Sequence, residues 1–174
     1  MALYRRSTDP EKAGPLIDRR IVCRFSCGAA SAVATKLALS KYGHKRTVIT
    51  YSDPGNEHYD NARFRKDCER WFNHSVIVLR SAKYADAWDV WERERYIAGI
   101  AGAPCTGLLK RAPTYDFQRS GDILVFGYTA EERGRAESFR QQNFEQSLET
   151  PLIDAGLTKA DCLAMVERAG WAQS

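Results

Sequence analysis

The fold is decided by residues 21 to 31, IVCRFSCGAAS. A β-prone apolar run over residues 21 to 25 passes through a loop of small residues into a stretch rich in Ala, Leu and Lys that stops before Gly43. The run predicts a strand, and residues 29 to 42 predict a helix followed by a glycine cap. A strand that leads directly into a helix is typical of a parallel β-α-β unit.

The same alternation continues along the chain. Further strands are predicted at residues 47 to 51, 75 to 79 and 122 to 127, and helices at residues 61 to 72 and 131 to 143. A last helix begins at Thr158, with Asp161 as its capping partner and Gly170 near its end. The pattern predicts a three-layer α/β fold: a mostly parallel twisted sheet with helices on both faces. Residues 1 to 19 are expected to form an irregular arm, and residues 20 to 174 one domain.

Tyr84, Trp88 and Trp91 fall on one face of a further predicted helix, which Gly99 and Gly102 terminate. We expect both tryptophans to pack in the core rather than to stack on a base. The stretch between this helix and the strand at residue 122 is expected to be irregular.

The composition is that of an ordinary globular protein, and a formal charge of +4 is too small to indicate a nucleic-acid binder by itself. No apolar run could span a bilayer, so no membrane association is expected. Five cysteines without an apolar signal segment favour a cytoplasmic location. The absence of any C-x-x-C pair argues against an iron–sulfur cluster or a zinc site.

The loop from Ser26 to Ser31 could form an anion-binding site. Backbone N–H groups and the positive end of a helix dipole face whatever lies above such a turn. Gly28 would let the backbone turn and approach a ligand, and the hydroxyls of Ser26 and Ser31 could donate to phosphate oxygens. Taken alone, the pattern favours a plain strand-to-helix turn over an anion site. In a parallel sheet, however, the loops after the first, second and fourth strands meet at one edge, where ligands bind.

Five segments in order resemble the PAPS reductase-like branch of the adenine nucleotide α-hydrolase-like superfamily, and especially its short phage and prophage proteins. They are FSCGAAS at residues 25 to 31, DPGNE at 53 to 57, Cys105 with KRAP at 110 to 113, GYTAEE at 127 to 132 with Arg135, and PLI at 151 to 153. The first is similar to the pyrophosphate-binding PP-loop of that superfamily. The resemblance covers about residues 20 to 170.

The resemblance implies that adenine is bound by backbone groups at the ends of the first two strands. The implied nucleotide-binding residues are Phe25, Ser26, Cys27, Gly28, Ala29, Ala30, Ser31, Tyr51, Ser52, Gly127, Tyr128, Thr129, Glu132 and Arg135. The implied catalytic residues are Asp53, Glu57, Cys105, Lys110 and Arg111.

The chemistry of these side chains leaves alternatives open. Asp53 and Glu57 could hold Mg²⁺ or a substrate amine, or could simply form a turn and a helix start. Lys110 and Arg111 can neutralise a phosphate or a sulfate. Cys27 and Cys105 are the candidate reactive thiols, because helix N-termini and nearby cations lower the pKa of a thiol.

The expected function is that of an ATP pyrophosphatase, which cleaves ATP to AMP and pyrophosphate and adenylates a second substrate for sulfur or nitrogen transfer. One alternative is an APS or PAPS sulfonucleotide reductase. Such enzymes use a C-terminal cysteine, and since no thiol follows Cys162, Cys27 or Cys105 would have to replace it. Another alternative is a non-catalytic module that binds or sequesters a nucleotide. The bound nucleotide (ATP, AMP, APS or PAPS) and the acceptor, which could be a nucleic acid, stay open, and a homodimer could complete the site.

Overall fold

A single parallel sheet organises the chain. The computed structural model describes residues 19 to 99 and 102 to 171. Within these ranges the strands are β1 (Ile21–Phe25), β2 (Thr47–Ser52), β3 (Val76–Leu79), β4 (Ile123–Val125) and β5 (Ser147–Glu149). They pair in the order β3-β2-β1-β4-β5, and every pair is parallel. The predicted α/β class is therefore confirmed, while the predicted N-terminal arm lies outside the described residues except for Arg19.

Helices connect the strands. They are α1 (Ala29–Tyr42), α2 (Asp60–Phe72), α3 (Ala87–Glu94), a π-helical segment (Thr106–Arg111), α4 (Ala112–Phe117), a 3-10 turn (Ala130–Glu132), α5 (Arg133–Gln142), α6 (Pro151–Asp154) and α7 (Lys159–Arg168). None of the helices in the described ranges is long and apolar enough to cross a membrane.

The main core lies on one face of the sheet. Ile21, Cys23 and Phe25 alternate along β1 and pack in one cluster with apolar residues of α1, α2 and α7. Arg24 falls on the opposite face of the same strand. Because β1 is the central strand of the sheet, Arg24 is a charged residue on the middle strand.

The strand order creates a crevice at the carboxyl end of the sheet. The chain runs outward from β1 through β2 to β3, and then crosses back to place β4 on the other side of β1. The connections on the two sides of β1 therefore diverge. This is the topological switch point at which ligands bind in open α/β sheets.

Several local predictions were wrong. The stretch expected to be irregular contains the π-helical segment and α4; Gly107 and Pro113 interrupt its helical signal. Helix α3 ends at Glu94, and the capping residue Arg95, four residues before Gly99, adopts a left-handed φ of 51°. Trp88 is 68% exposed and lies outside the core. Trp91 packs against a small second cluster of buried residues, formed by Tyr84, Ala87, Val90 and Leu109.

Strand β5 and helix α6 were not predicted. Strand β5 has only three residues, Ser147 to Glu149, and is partly exposed at the edge of the sheet. Such a short polar segment carries no run of apolar residues from which a strand could be recognised.

Candidate functional site

A cleft of about 520 Å³ opens at the switch point. It is lined by the ends of β1 and β2, the segment that begins α4, the loop after β4 and the end of α5. The lining includes eight residues predicted from the sequence: Phe25, Ser26, Tyr51, Ser52, Glu57, Lys110, Arg111 and Tyr128. A smaller cavity of about 330 Å³, lined by Arg135, shares Tyr128 and Phe139 with it.

The other predicted residues do not line the cleft. Cys27, Gly28, Ala29, Ala30 and Ser31 lie in the loop beside it, and Gly127, Thr129 and Glu132 lie in the turn after β4. Asp53 faces Arg80, and Cys105 packs against the second cluster.

The loop after β1 is organised around the Ser31 hydroxyl. The backbone N–H groups of Ser26 and Gly28 donate to Ser31 Oγ, over 3.1 and 3.3 Å. Ser31 Oγ in turn donates to the Gly28 carbonyl over 2.8 Å. The side chain of Ser31 therefore holds the loop closed, and only Ser26 among these residues is exposed to the cleft.

The tight turn in this loop is made by Cys27 rather than by Gly28, contrary to expectation. Cys27 has a left-handed φ of 55°, whereas Gly28 is extended, with φ −116° and ψ 153°. A Cβ built on Gly28 would lie no closer than 3.8 Å to Ser26 Oγ. The fold therefore has room for a side chain at this position.

Gly127 brings the end of β4 against this loop. A Cβ at Gly127 would lie 2.7 Å from the backbone N and Cα of Ser31 and 2.9 Å from the carbonyl carbon of Ala30. Only a glycine permits such close packing. The loops after β1 and β4 are thus locked together at the edge of the cleft.

Glu57 is held by three donors on the β2 side of the cleft. Its Oε1 pairs with Lys110 Nζ at 2.6 Å, and its Oε2 accepts from the Tyr51 hydroxyl and the Asn61 amide, each at 2.7 Å. Burial and the Glu57 carboxylate raise the pKa of Tyr51, so the phenol stays protonated and acts as a donor. The segment that carries Lys110 is thereby tied to the end of β2.

The two predicted metal-binding carboxylates have separate partners. Asp53 Oδ1 accepts from the Gly55 amide, and its Oδ2 pairs with Arg80 at 2.6 Å. Each of the four carboxylate oxygens of Asp53 and Glu57 therefore already accepts a hydrogen bond. Both carboxylates are thus neutralised by cations of the chain, and among the described residues no group of three or more His, Cys, Asp or Glu side chains could hold a metal ion.

The turn after β4 is closed by its own hydrogen bonds. Thr129 and Glu132 cap the following helix, with Glu132 Oε2 accepting from the Thr129 amide at 3.2 Å. Arg135 pairs with Glu132 and lies 5.2 Å above the ring of Tyr128. This arrangement orients Tyr128, which lines both cavities.

Neither candidate thiol is placed as a nucleophile in the cleft. Burial and the neighbouring Glu57 raise the pKa of Cys27 to about 12, and its side chain is 3% exposed. The expectation of a lowered pKa was wrong for Cys27, because desolvation outweighs the proximity of the helix N-terminus. Cys105 is half-buried among Tyr84, Val90 and Leu109.

Arg24 is a lining residue that the sequence analysis missed. It lies beside Phe25 and Ser26 at the end of β1 and faces the cleft. Its position could have been noticed, because a charged residue inside an otherwise apolar central strand must either reach solvent or face a cavity.

The chain was also compared with known proteins. No protein-family model matches it, and no match was found among the curated proteins. A functional interpretation therefore depends on the geometry of the cleft and on the motifs of the sequence.

Proposed function

We propose that this chain binds an adenine nucleotide in the cleft at the switch point, with the phosphates toward Ser26 and the loop that Ser31 organises. The observation that carries the proposal is the position of that loop. It leaves the central strand of a 3-2-1-4-5 parallel sheet, leads into α1 and borders a cleft whose volume lies within the usual range for small-molecule sites.

The charge of the cleft supports an anionic ligand. Its lining residues include three cations, Arg24, Lys110 and Arg111, and one carboxylate, Glu57. Aromatic side chains at its walls offer surfaces for a planar base. Together with the five motifs that resemble PAPS reductase-like proteins, this favours a nucleotide over other small anions.

We infer further that the bound nucleotide is ATP and that the reaction is adenylation. A nucleophilic atom of the second substrate forms a bond to the α-phosphorus while the bond from that phosphorus to the bridging oxygen breaks. The bridging oxygen keeps the electron pair and leaves as part of pyrophosphate. The chain would contribute positioning and the stabilisation of charge on the departing pyrophosphate by Lys110, Arg111 and the loop amides.

Sulfonucleotide reduction has less support from the geometry. That reaction needs a thiolate within reach of the sulfur atom, and no cysteine of the described residues lines the cleft. A non-catalytic nucleotide-binding module would share the same site and would differ only in turnover.

Gly28→Ala tests the phosphate loop, with Gly107→Ala as the matched control. Both positions accept a Cβ without a clash, so both variants should melt at the wild-type temperature. The wild type and G107A should bind ATP in calorimetry, and G28A should bind it at least about tenfold more weakly, because its methyl group blocks the approach of a phosphate to the loop.

Turnover is measured separately as pyrophosphate release from ATP and Mg²⁺ with candidate acceptors, including nucleic acid. Release by the wild type would identify an enzyme, and tight binding without release would identify a binding module. Failure of the wild type to bind ATP at millimolar concentration, or equal binding by G28A and G107A, would contradict the proposed site.

A further inference from the structure

We infer that Arg24 is the receptor for an oxyanion of the ligand, at a position in the cleft separate from the phosphate loop. The inference deepens the proposed function and rests on it for the identity of the ligand, but the anion site itself can be tested independently. The chemical class is a phosphate, sulfate or carboxylate group, carried either by the nucleotide or by the second substrate.

Arg24 is a largely buried cation without a carboxylate partner. Among the described residues, the hydrogen bond that its guanidinium makes is from Nη2 to the neutral amide oxygen of Gln118, at 3.0 Å, and its Nε is buried without a hydrogen-bond partner. No carboxylate of the described chain lies within ion-pair distance of it. Burial lowers the pKa of Arg24 to about 10, which still leaves the side chain charged at neutral pH.

The carboxylate whose charge influences Arg24, that of Asp122, already has other partners. Asp122 accepts hydrogen bonds from Arg20 Nε and Nη2, at 2.9 and 2.7 Å, and from the backbone N–H of Arg119. Asp122 is therefore the partner of Arg20 and cannot neutralise Arg24 as well. The other cations of the cleft differ, because Lys110 has its own carboxylate in Glu57 and Arg111 is exposed to solvent.

A buried charge without a counter-ion is unfavourable for folding, because desolvation is not offset by a partner. The position of Arg24 facing the cleft provides such a partner when an anionic ligand binds. Its planar fork of donors matches an oxyanion, and the low local dielectric strengthens the pairing. A purely structural arginine would instead be fully paired within the protein, as Arg20 is.

The direct test is a titration of inorganic sulfate, followed by the ¹H–¹⁵Nε correlation signals of the arginine side chains. The signal of Arg24 is assigned by its loss in Arg24→Met. We expect this signal to shift in a saturable manner, while the signal of the exposed Arg168 does not. A signal of Arg24 that stays unshifted, or that drifts linearly as that of Arg168 does, would overturn the inference. This experiment needs no nucleotide, so it remains decisive even if the proposed function fails.

A second experiment identifies the source of the oxyanion. Adenosine, AMP and ATP are titrated into the wild type, Arg24→Met and the control Arg168→Met. If the group belongs to the nucleotide, R24M loses at least about tenfold in affinity for AMP or ATP but not for adenosine, because a hydrogen bond to a charged group is lost. If sulfate shifts the Arg24 signal while the ratio of AMP to adenosine affinity is unchanged in R24M, the group belongs to the second substrate.

Thermal melting of the unliganded R24M variant separates a binding role from a structural one. We expect it to melt at or above the wild-type temperature, because an unpaired buried charge is removed. A melting temperature well below that of R168M would mean that Arg24 supports the fold, and would overturn the inference.

Discussion

Gly127→Ala should both destabilise the chain and displace the loop from Ser26 to Ser31. The added methyl group would lie 2.7 Å from two backbone atoms of Ser31, well inside ordinary van der Waals contact. Because the obstacle is backbone at the start of α1 rather than a flexible side chain, either the loop or the end of β4 has to move. Overpacking of this kind costs about 1 to 3 kcal/mol.

For a chain of this length, each kcal/mol lowers the melting temperature by roughly 2 to 4 °C, so G127A should melt about 2 to 12 °C below the wild type. The measurement is thermal unfolding followed by circular dichroism. Gly134→Ala is the matched control for stability, because Gly134 is exposed in α5 and a Cβ there meets no atom within 4 Å. G134A should be as stable as the wild type or slightly more stable, since alanine favours a helix over glycine.

Nucleotide affinity gives the second measurement on G127A. If the two loops are locked together as the geometry indicates, G127A should bind ATP more weakly than the wild type at a temperature where both are folded. A variant that melts within about 1 °C of the wild type would refute the packing argument, given the expected shift. A variant that is destabilised but binds ATP normally would refute the proposed link between Gly127 and nucleotide binding by the loop from Ser26 to Ser31.

Two further predictions concern Asp53 and the thiols. Burial alone would raise the pKa of Asp53, but the Gly55 amide and Arg80 hold this pKa below its usual value. The carboxylate therefore stabilises the fold above about pH 4, and this stabilisation is lost as the pH falls through the lowered pKa. In urea unfolding, Asp53→Asn should therefore be less stable than the wild type at neutral pH, and the gap should close in acid; a gap that is the same at both pH values would contradict this. Iodoacetamide at mildly alkaline pH should alkylate Cys105, the one cysteine of the five that is not buried, before Cys27, whose pKa is raised to about 12. Peptide mass spectrometry would show the order, and faster modification of Cys27 would contradict the burial argument.

Elements with strong local signals could be predicted closely from the sequence. Strand β1 and helix α1 occupy the predicted residues, and Gly43 has the expected positive φ of 78°. The capping pair of Thr158 and Asp161 also forms, with Thr158 Oγ1 accepting from the Asp161 amide at 3.2 Å. In each case the deciding interactions lie within a few residues of one another, so the local sequence contains the information.

The contacts that arrange the residues of the cleft could not be predicted, because they join distant parts of the chain. Glu57 meets Lys110 across 53 residues of chain, and only the folded structure shows this pairing. The left-handed turn at Cys27 is another example. Propensity favours the neighbouring glycine for such a conformation, but the structure places it at Cys27, whose side chain is buried in the core.

The hydrogen-bond donors at this cleft differ in whether they already have a strong partner. The amides of Ser26 and Gly28 donate to Ser31, and Lys110 pairs with Glu57, so a phosphate that recruited these donors would replace contacts that already exist. The net gain from such an exchange is small, since each new hydrogen bond is offset by one that is broken. Arg24 has no carboxylate contact to give up, and an oxyanion placed against it gains a charge-assisted interaction with less to offset it. The affinity of an anionic ligand should therefore depend more on Arg24 than on Lys110.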